Sequence, residues 1–140
     1  MANESARQVA ALPWRKRRGR LEVLLVTSRT TQRWVIPKGG VMPHLVDMNA
    51  ARQEAFEEAG ISGRMKRKPL GTYTYAKRTA SAMMMQHAVK VFAFEVQREL
   101  SNWPERRQRK RQWFRLEDAL KKIGEPSLRE IIRAFAAAKG

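Results

Sequence analysis

A segment between Asp47 and Gly60 restricts the possible folds more than any other part of the sequence. It contains helix-forming residues and no proline, with Asp47 as the predicted N-cap and Gly60 at the predicted C′ position. At about 100° per residue, one face of this helix carries a stripe of small and apolar residues: Met48, Ala51, Ala55 and Ala59. Because most of this stripe is alanine, we expect the helix to pack closely against the flat surface of a β-sheet.

The remainder of the sequence predicts the strands of that sheet and two further helices. The predicted strands cover residues 7–14, 21–27, 33–36, 65–75, 83–96 and an edge strand at 112–114, and the predicted helices cover 117–123 and 127–138. A basic turn at residues 15–20 joins the first two strands as a hairpin, and a polar link at 77–82 joins the two long ones. This order indicates an α+β fold with a mixed sheet, and 140 residues leave room for a single domain, residues 1–140.

Composition excludes several classes of function. The chain contains no cysteine, which rules out disulfides, thiolate catalysis and zinc–sulfur sites. No apolar run reaches the roughly 18 residues that a membrane span requires, and the N-terminus lacks the apolar core of a signal peptide, so we expect a cytoplasmic protein without membrane contact. The 29 Lys and Arg against 13 Asp and Glu leave a net charge of +16, which favours polyanionic partners such as nucleic acid or phosphorylated metabolites.

Three carboxylates are crowded on the predicted helix. Glu54, Glu57 and Glu58 lie at i, i+3 and i+4, where like charges repel by a few tenths of a kcal/mol per pair, roughly. They also lie toward the C-terminal end of the helix, where the macrodipole disfavours acids. A divalent cation would reverse this cost, because carboxylate oxygens are ligands that Mg²⁺ and Mn²⁺ prefer. The alternative is an acidic helix face that is simply solvated.

The surroundings of these carboxylates favour the cation. A set of glycines, glutamates and small or aliphatic residues occurs here at fixed spacing: Gly39, Glu54, Ala55, Glu57, Glu58, Gly60 and Ile61. With the preceding stretch from Arg33 to Gly40, this pattern resembles the box of the Nudix hydrolases. Leu45 and Gln53 stand where that box has glutamate and arginine, so the box is degenerate at two positions but keeps its three helix carboxylates.

A wider stretch of the chain is similar to one subgroup of that family. Residues 33–37, 57–60, 109–114 and 116–119 resemble the diphosphoinositol polyphosphate phosphohydrolases, and most of the chain can be aligned with their pattern. The resemblance implies an α/β/α sandwich, in which a mixed sheet lies between helices and the box forms a loop–helix–loop.

The resemblance also implies roles for individual residues. Glu54 and Glu58 would hold Mg²⁺ or Mn²⁺ together with the backbone carbonyl of Lys38, and Glu57 would be a further ligand or the proton acceptor, which makes it our candidate catalytic residue. Glu105 is a candidate extra carboxylate, with an ion pair to Arg106 or Arg107 as the alternative. The candidate substrate-binding residues are basic side chains and glycines near segments that gather polyphosphate in the subgroup: Arg7, Arg29, Arg33, Gly39, Gly40, Lys77, Arg78 and Arg109.

The leading hypothesis is a Mg²⁺- or Mn²⁺-dependent hydrolase that cleaves a P–O–P bond in a polyphosphorylated small molecule. Dinucleoside polyphosphates rank first among the substrates, followed by diphosphoinositol polyphosphates and then by nucleoside triphosphates or capped RNA ends. The rival hypothesis is a nucleic-acid- or polyanion-binding protein on a catalytically weak Nudix scaffold, supported by the net charge and by the basic run at residues 106–111. A third is an interaction protein in which the helix carboxylates bind nothing.

Overall fold

The fold is built from eight strands and three helices within the residues that the computed structural model describes, which are 4–78, 81 and 83–140. The strands are β1 Glu4–Arg17, β2 Arg20–Thr27, β3 Trp34–Val35, β4 Lys38–Gly40, β5 Ile61–Met65, β6 Gly71–Arg78, β7 Met84–Glu99 and β8 Arg111–Arg115. The helices are α1 Asp47–Ala59, α2 Leu116–Lys122 and α3 Pro126–Lys139. Residues 79, 80 and 82 of the predicted polar link lie outside the described residues.

Strand β1 occupies the centre of a mixed sheet. It runs parallel to β7 and pairs antiparallel with β2 and β4. Strands β5 and β6 pair antiparallel with β7, while β3 and β8 pair antiparallel with β2. The two longest strands therefore lie side by side, and the short strand β4 is placed directly against β1.

Each face of the sheet is covered by helix. Because side chains alternate along a strand, β1 sends Val9 and Ala11 to the face covered by α1, and Ala10 and Leu12 to the opposite face. The second face packs against α2 and α3 through Ala119, Ile123, Leu128, Ile132 and Phe135. The predicted α/β/α sandwich is confirmed.

The alanine stripe of α1 explains how closely this helix approaches the sheet. Ala51, Ala55 and Ala59 are fully buried, together with Ala50, and they pack against β1, β2 and β7. The helix ends as predicted at Gly60, whose φ of 65° is left-handed. Its start differs from the prediction: Val46 is the N-cap, and Asp47 is the first helical residue. The Asp47 carboxylate accepts a 2.9 Å hydrogen bond from Lys90 in place of capping the helix.

Three other parts of the sequence form different elements from those predicted. The basic segment 15–20 is mostly strand, because only Arg18 and Gly19, at φ of 54° and 78°, form the turn between β1 and β2. The Gly39–Gly40 pair, for which no element was predicted, belongs to β4. The predicted strand 65–75 is interrupted between β5 and β6, where Pro69 has no amide hydrogen to donate to a sheet. Among the described residues, every helix falls short of the length and hydrophobicity that a membrane span requires.

Candidate active site

Glu58 is the most buried acidic residue of the described chain, with 6% of its surface exposed. Helix α1 places it one turn after Glu54 on the same face, which is directed at β4. The backbone amide of Lys38 donates a 3.3 Å hydrogen bond to Glu58 Oε1. Strand β4 thus joins the site through its backbone, and it is held there by pairing with Val9 and Ala10 of β1.

Glu54 lies against the same strand. A Cβ atom added to Gly39 would overlap the Glu54 carboxyl group, whereas one added to Gly40 would meet open space. The absence of a side chain at Gly39 therefore has a steric reason, since the carboxyl group occupies the space that any other residue would fill. The same argument does not apply to Gly40.

Among the described residues, the guanidinium group of Arg109 is the ion-pair partner of Glu58. Its Nη2 lies 3.6 Å from Glu58 Oε2, and its Nε donates a 2.7 Å hydrogen bond to Glu105 Oε1. Its Nη1 donates at 3.1 Å to the backbone carbonyl of Thr27, and only 9% of the side chain is exposed. Glu105 therefore pairs with Arg109, and neither Arg106 nor Arg107 is its partner.

Burial and mutual repulsion make these carboxyl groups hard to ionise. Burial is the largest cause that raises the pKa of Glu58; the Glu54 charge adds to it, while Arg109 and the Lys38 amide oppose it. Burial also raises the pKa of Glu54, followed by the charge of Glu57. A divalent cation between two such groups would remove the repulsion and replace the proton that they otherwise retain.

Glu57 points to a different neighbour. Its Oε2 accepts a 2.7 Å hydrogen bond from Gln53 Nε2. Gln53 also lines a cavity of about 390 Å³ together with Leu45, the other residue that departs from the box. Within the described residues, no three Asp, Glu or His side chains are arranged as a metal-binding group. The donors that fit Mg²⁺ or Mn²⁺ are accordingly the adjacent Glu54 and Glu58 carboxylates beside the β4 backbone, a set of hard oxygen ligands.

Lys38 connects the carboxylates with a cluster of cationic and aromatic side chains, because its backbone contacts Glu58 and its side chain lies over Tyr75. The Lys38 Nζ lies 5.3 Å from the centroid of the Tyr75 ring, and Tyr75 stacks on His87 at 4.8 Å with an interplanar angle of 11°. Burial lowers the pKa of His87, and the charges of Lys77 and Lys38 lower it further. Burial raises the pKa of Tyr75, and the positive charge of Arg33 opposes this increase. Lys38, whose backbone carbonyl was a predicted metal ligand, thus lies beside this aromatic pair. Two predicted substrate-binding residues, Arg33 and Lys77, are near enough for their charges to shift the pKa of one of the two rings.

Other predicted binding residues lie farther from the carboxylates. Arg29 donates a 3.1 Å hydrogen bond to Gln108 in the segment before Arg109. Arg7 has 71% of its side chain exposed and lies 3.5 Å from Asp47 at the start of α1. Arg78 is exposed at the end of β6. The structure does not bring these three side chains together with Glu54 and Glu58.

The sequence reasoning missed two features of this region. His87 is not among the predicted site residues, yet its Nδ1 is buried without a hydrogen-bond partner among the described atoms, beside the Tyr75 ring. The Tyr75 hydroxyl donates to Gln8 Oε1 at 2.9 Å, which adds β1 to the same group. The alternation of Tyr73 and Tyr75 was the available signal for a shared face, but the partner on β7 depends on strand register, in which Tyr75 is opposite His87.

The chain matches the model of a family described as the NUDIX domain over residues 5–135. It is 37% identical over 106 residues to "Nudix hydrolase 12, mitochondrial" of Arabidopsis thaliana, a match that covers 72% of this chain and 51% of the relative. It is 38% identical over 103 residues to "Diphosphoinositol polyphosphate phosphohydrolase 2" of Rattus norvegicus, covering 71% and 53%. The chain therefore spans about half the length of these curated relatives.

Among solved structures, the fold is similar to that of a C. elegans Ap4A hydrolase in a binary complex. The TM-score is 0.67 and the sequences are 25% identical, with 94% of this chain and 96% of the other covered.

Proposed function

The chain belongs to the Nudix family, and from this premise we propose that it is a Mg²⁺- or Mn²⁺-dependent hydrolase that cleaves the P–O–P bond of a polyphosphorylated small molecule. The observation that carries the proposal is the joint placement of Glu54 and Glu58 against β4, one turn apart and beside the Lys38 backbone. A solvated acidic face would not need a buried Glu58 or a glycine opposite Glu54.

Each residue has a defined part in the proposed reaction. Glu54 and Glu58, with the backbone of Lys38, would hold the divalent ion, which supplies charge neutralisation on the phosphate oxygens and acidifies water when bound. Glu57, the outward carboxylate of the three, would accept the proton of the attacking water. Gln53 orients that carboxylate through its 2.7 Å hydrogen bond. Arg109 would keep Glu58 and Glu105 in place while it compensates part of their charge.

The cations around Tyr75 favour a substrate with a chain of phosphates. Arg33, Lys38 and Lys77 present positive charge at one side of the carboxylates, and an aromatic pair lies among them. Aromatic rings beside cations suit a nucleobase attached to polyphosphate, because a base can stack while the phosphates contact the cations. We therefore rank dinucleoside polyphosphates first, diphosphoinositol polyphosphates second, and nucleoside triphosphates or capped RNA ends third.

Phosphate-release assays on the protein and on two of its variants test the proposal. We expect turnover on a panel of diadenosine polyphosphates with Mg²⁺ or Mn²⁺ and none in chelator. Glu58→Gln should reduce turnover by about 100-fold or more, because a lost ligand charge removes several kcal/mol of transition-state stabilisation, roughly. The matched control is Glu130→Gln, which changes an exposed acid on α3 and should retain full turnover. Equal turnover in the two variants would contradict the assigned metal site.

The polyanion-binding hypothesis makes a different prediction for Glu57→Gln. The enzyme should lose turnover and keep phosphate-ligand binding, whereas a pure binder should show no turnover in either form and little change in binding. Absence of turnover on every substrate of the panel, at high protein concentration and with both metals, would favour the binder.

A further inference from the structure

The tip of the β1–β2 hairpin concentrates arginine in an unusual backbone setting. Arg17 is directly opposite Arg20 in the antiparallel register, and like charges in that position destabilise a sheet. Arg18 forms the turn with a φ of 54°, a conformation that non-glycine residues rarely adopt. Both the repulsion between Arg17 and Arg20 and the positive φ of Arg18 therefore disfavour formation of the hairpin.

The strand register places a further arginine on the same face. Glu22 of β2 is opposite Arg115 of β8, and cross-strand partners point to the same side of a sheet. Because side chains alternate along β2, Arg20 and Glu22 also share that side. Together with Arg18, these side chains line a cavity of about 500 Å³: Arg17, Arg18, Arg20, Glu22 and Arg115.

The positive charge in this cavity is compensated only in part by the residues that the structure describes, since one acid faces four arginines. Its acid, Glu22, accepts a 2.7 Å hydrogen bond from Arg15 Nε, so its charge is already shared with a fifth arginine. In the part of the chain that the structure describes, Arg17, Arg18, Arg20 and Arg115 make no ion pair and no side-chain hydrogen bond. The cavity therefore presents four guanidinium groups with free donors.

The cavity is separate from the candidate active site. Lys38 of that site pairs with Ala10, whereas the hairpin tip begins at Arg17, roughly 23 Å farther along β1 at the usual rise of a strand. Screening at physiological ionic strength has a length of about 8 Å, so the two sites would bind anions independently.

We propose that this arginine-lined cavity is a second anion site that binds a compact chain of phosphate groups. Planar guanidinium forks match phosphate oxygens in pairs, and several of them around one concave space suit consecutive phosphates better than a single one. Bound phosphate also removes the repulsion between Arg17 and Arg20. The site does not depend on the proposed hydrolase activity, because none of its residues contacts the carboxylates of α1.

Calorimetric titration with tripolyphosphate in metal-free buffer tests the proposal. The background variant Arg33→Gln/Lys77→Gln removes two of the cations beside the candidate active site. In this background, Arg17→Gln/Arg20→Gln/Arg115→Gln should weaken binding by about tenfold or more, the equivalent of a lost charged hydrogen bond. The matched control Arg52→Gln/Arg64→Gln/Arg133→Gln removes the same charge from exposed positions elsewhere and should retain the affinity.

A single variant guards against a folding defect in the triple variant. Arg18→Asn removes one cavity charge and suits the turn, because asparagine tolerates positive φ. It should retain the thermal unfolding midpoint and weaken tripolyphosphate binding. Turnover of the Arg18→Asn protein on the diadenosine panel is expected to stay unchanged, which separates this site from the proposed function.

Two results would overturn the proposal. The first is equal tripolyphosphate affinity in the hairpin and control variants, because the loss of binding would then depend only on the net charge of the protein. The second is hairpin-dependent binding of a single-stranded oligonucleotide without binding of tripolyphosphate, because it would assign the arginines to an extended phosphodiester backbone.

Discussion

Gly39 controls the position of a carboxylate through the side chain that it lacks. Its backbone φ is not in the left-handed region, so alanine is compatible with the main chain there. The constraint is the Glu54 carboxyl group, which occupies the space of a Cβ atom. Adjacent Gly40 faces open space and has no such neighbour. Of these two consecutive glycines, only Gly40 leaves room for a larger side chain.

Gly39→Ala should displace the Glu54 carboxylate from β4. If Glu54 and Glu58 hold a divalent ion together, the displacement should weaken Mg²⁺ or Mn²⁺ binding by about 10- to 100-fold, the usual effect of disturbing the support of a metal ligand. Isothermal titration with Mn²⁺ measures this affinity directly and does not depend on the choice of substrate.

Gly40→Ala is the matched control for that experiment. It adds the same methyl group to the next residue of β4, and we expect its Mn²⁺ affinity and unfolding midpoint to equal those of the unmodified protein. If Gly39→Ala and Gly40→Ala bind Mn²⁺ equally well, Glu54 is not a ligand in the arrangement that we propose.

At the scale of secondary structure, the C-terminal end of α1 is fixed by a distant arginine. Arg111 of β8 donates hydrogen bonds to the carbonyls of Ala59 at 2.8 Å, Gly60 at 3.2 Å and Leu100 at 2.7 Å. Its guanidinium lies 3.9 Å from the centroid of the Trp103 ring. A cation at this end is favourable because the last carbonyls of a helix carry partial negative charge. The contact holds the helical turn that bears the box carboxylates.

Arg111→Met should lower the free energy of unfolding by about 2–3 kcal/mol, since it leaves carbonyls without partners. Arg111→Lys should not restore the loss, because an ammonium group cannot reach several carbonyls in the planar geometry of a guanidinium. Urea denaturation of the metal-free protein measures both variants.

The comparison for Arg111 is Arg107→Met, which removes an exposed arginine from the loop before β8. A surface substitution of this kind is expected to change the free energy of unfolding by about 0.5 kcal/mol at most. Equal stability of the Arg111 and Arg107 variants would mean that the end of α1 does not depend on this contact.

Across the whole molecule, a net charge of +16 acts against the compact state. Four of the 13 acidic residues, Glu54, Glu57, Glu58 and Glu105, are used around one site, so the rest of the surface is more basic than the average suggests. The hairpin cavity is the clearest local case, because four arginines line one space with a single acid, Glu22, and none of the four forms an ion pair in the described chain. Folding therefore brings positive charges closer together than they are in the unfolded chain.

Added KCl should raise the thermal unfolding midpoint of the metal-free protein. Between about 0.01 M and about 0.15 M salt the screening length falls from about 30 Å to about 8 Å, which weakens repulsion between distant charges. Differential scanning calorimetry measures the midpoint, with a neutral osmolyte at matched osmolality as the control. A midpoint that stays constant or falls with KCl would show that self-repulsion does not limit stability.

Features that depend on neighbours within a turn or two of the chain could be predicted from the amino-acid sequence. The alanine stripe and Gly60 defined α1 and its end, and the spacing of Glu54, Glu57 and Glu58 set them along that helix, because helical periodicity follows from the backbone geometry. The alternation of apolar residues likewise indicated the strands. These local patterns predicted an α+β fold with a mixed sheet, the family resemblance implied the α/β/α sandwich, and the structure confirmed both.

Most contacts between the carboxylates and distant parts of the chain could not be predicted from the sequence. Arg109 reaches Glu58 across 51 positions of chain. The family resemblance implied that the Lys38 carbonyl lies near Glu58, but the hydrogen bond from the Lys38 amide to this carboxylate was not predicted. The pairing of Tyr75 with His87 and of Arg17 with Arg20 depends on strand register. Register and the approach of loops are set by the packing of the whole sheet, and local periodicity contains no information about them.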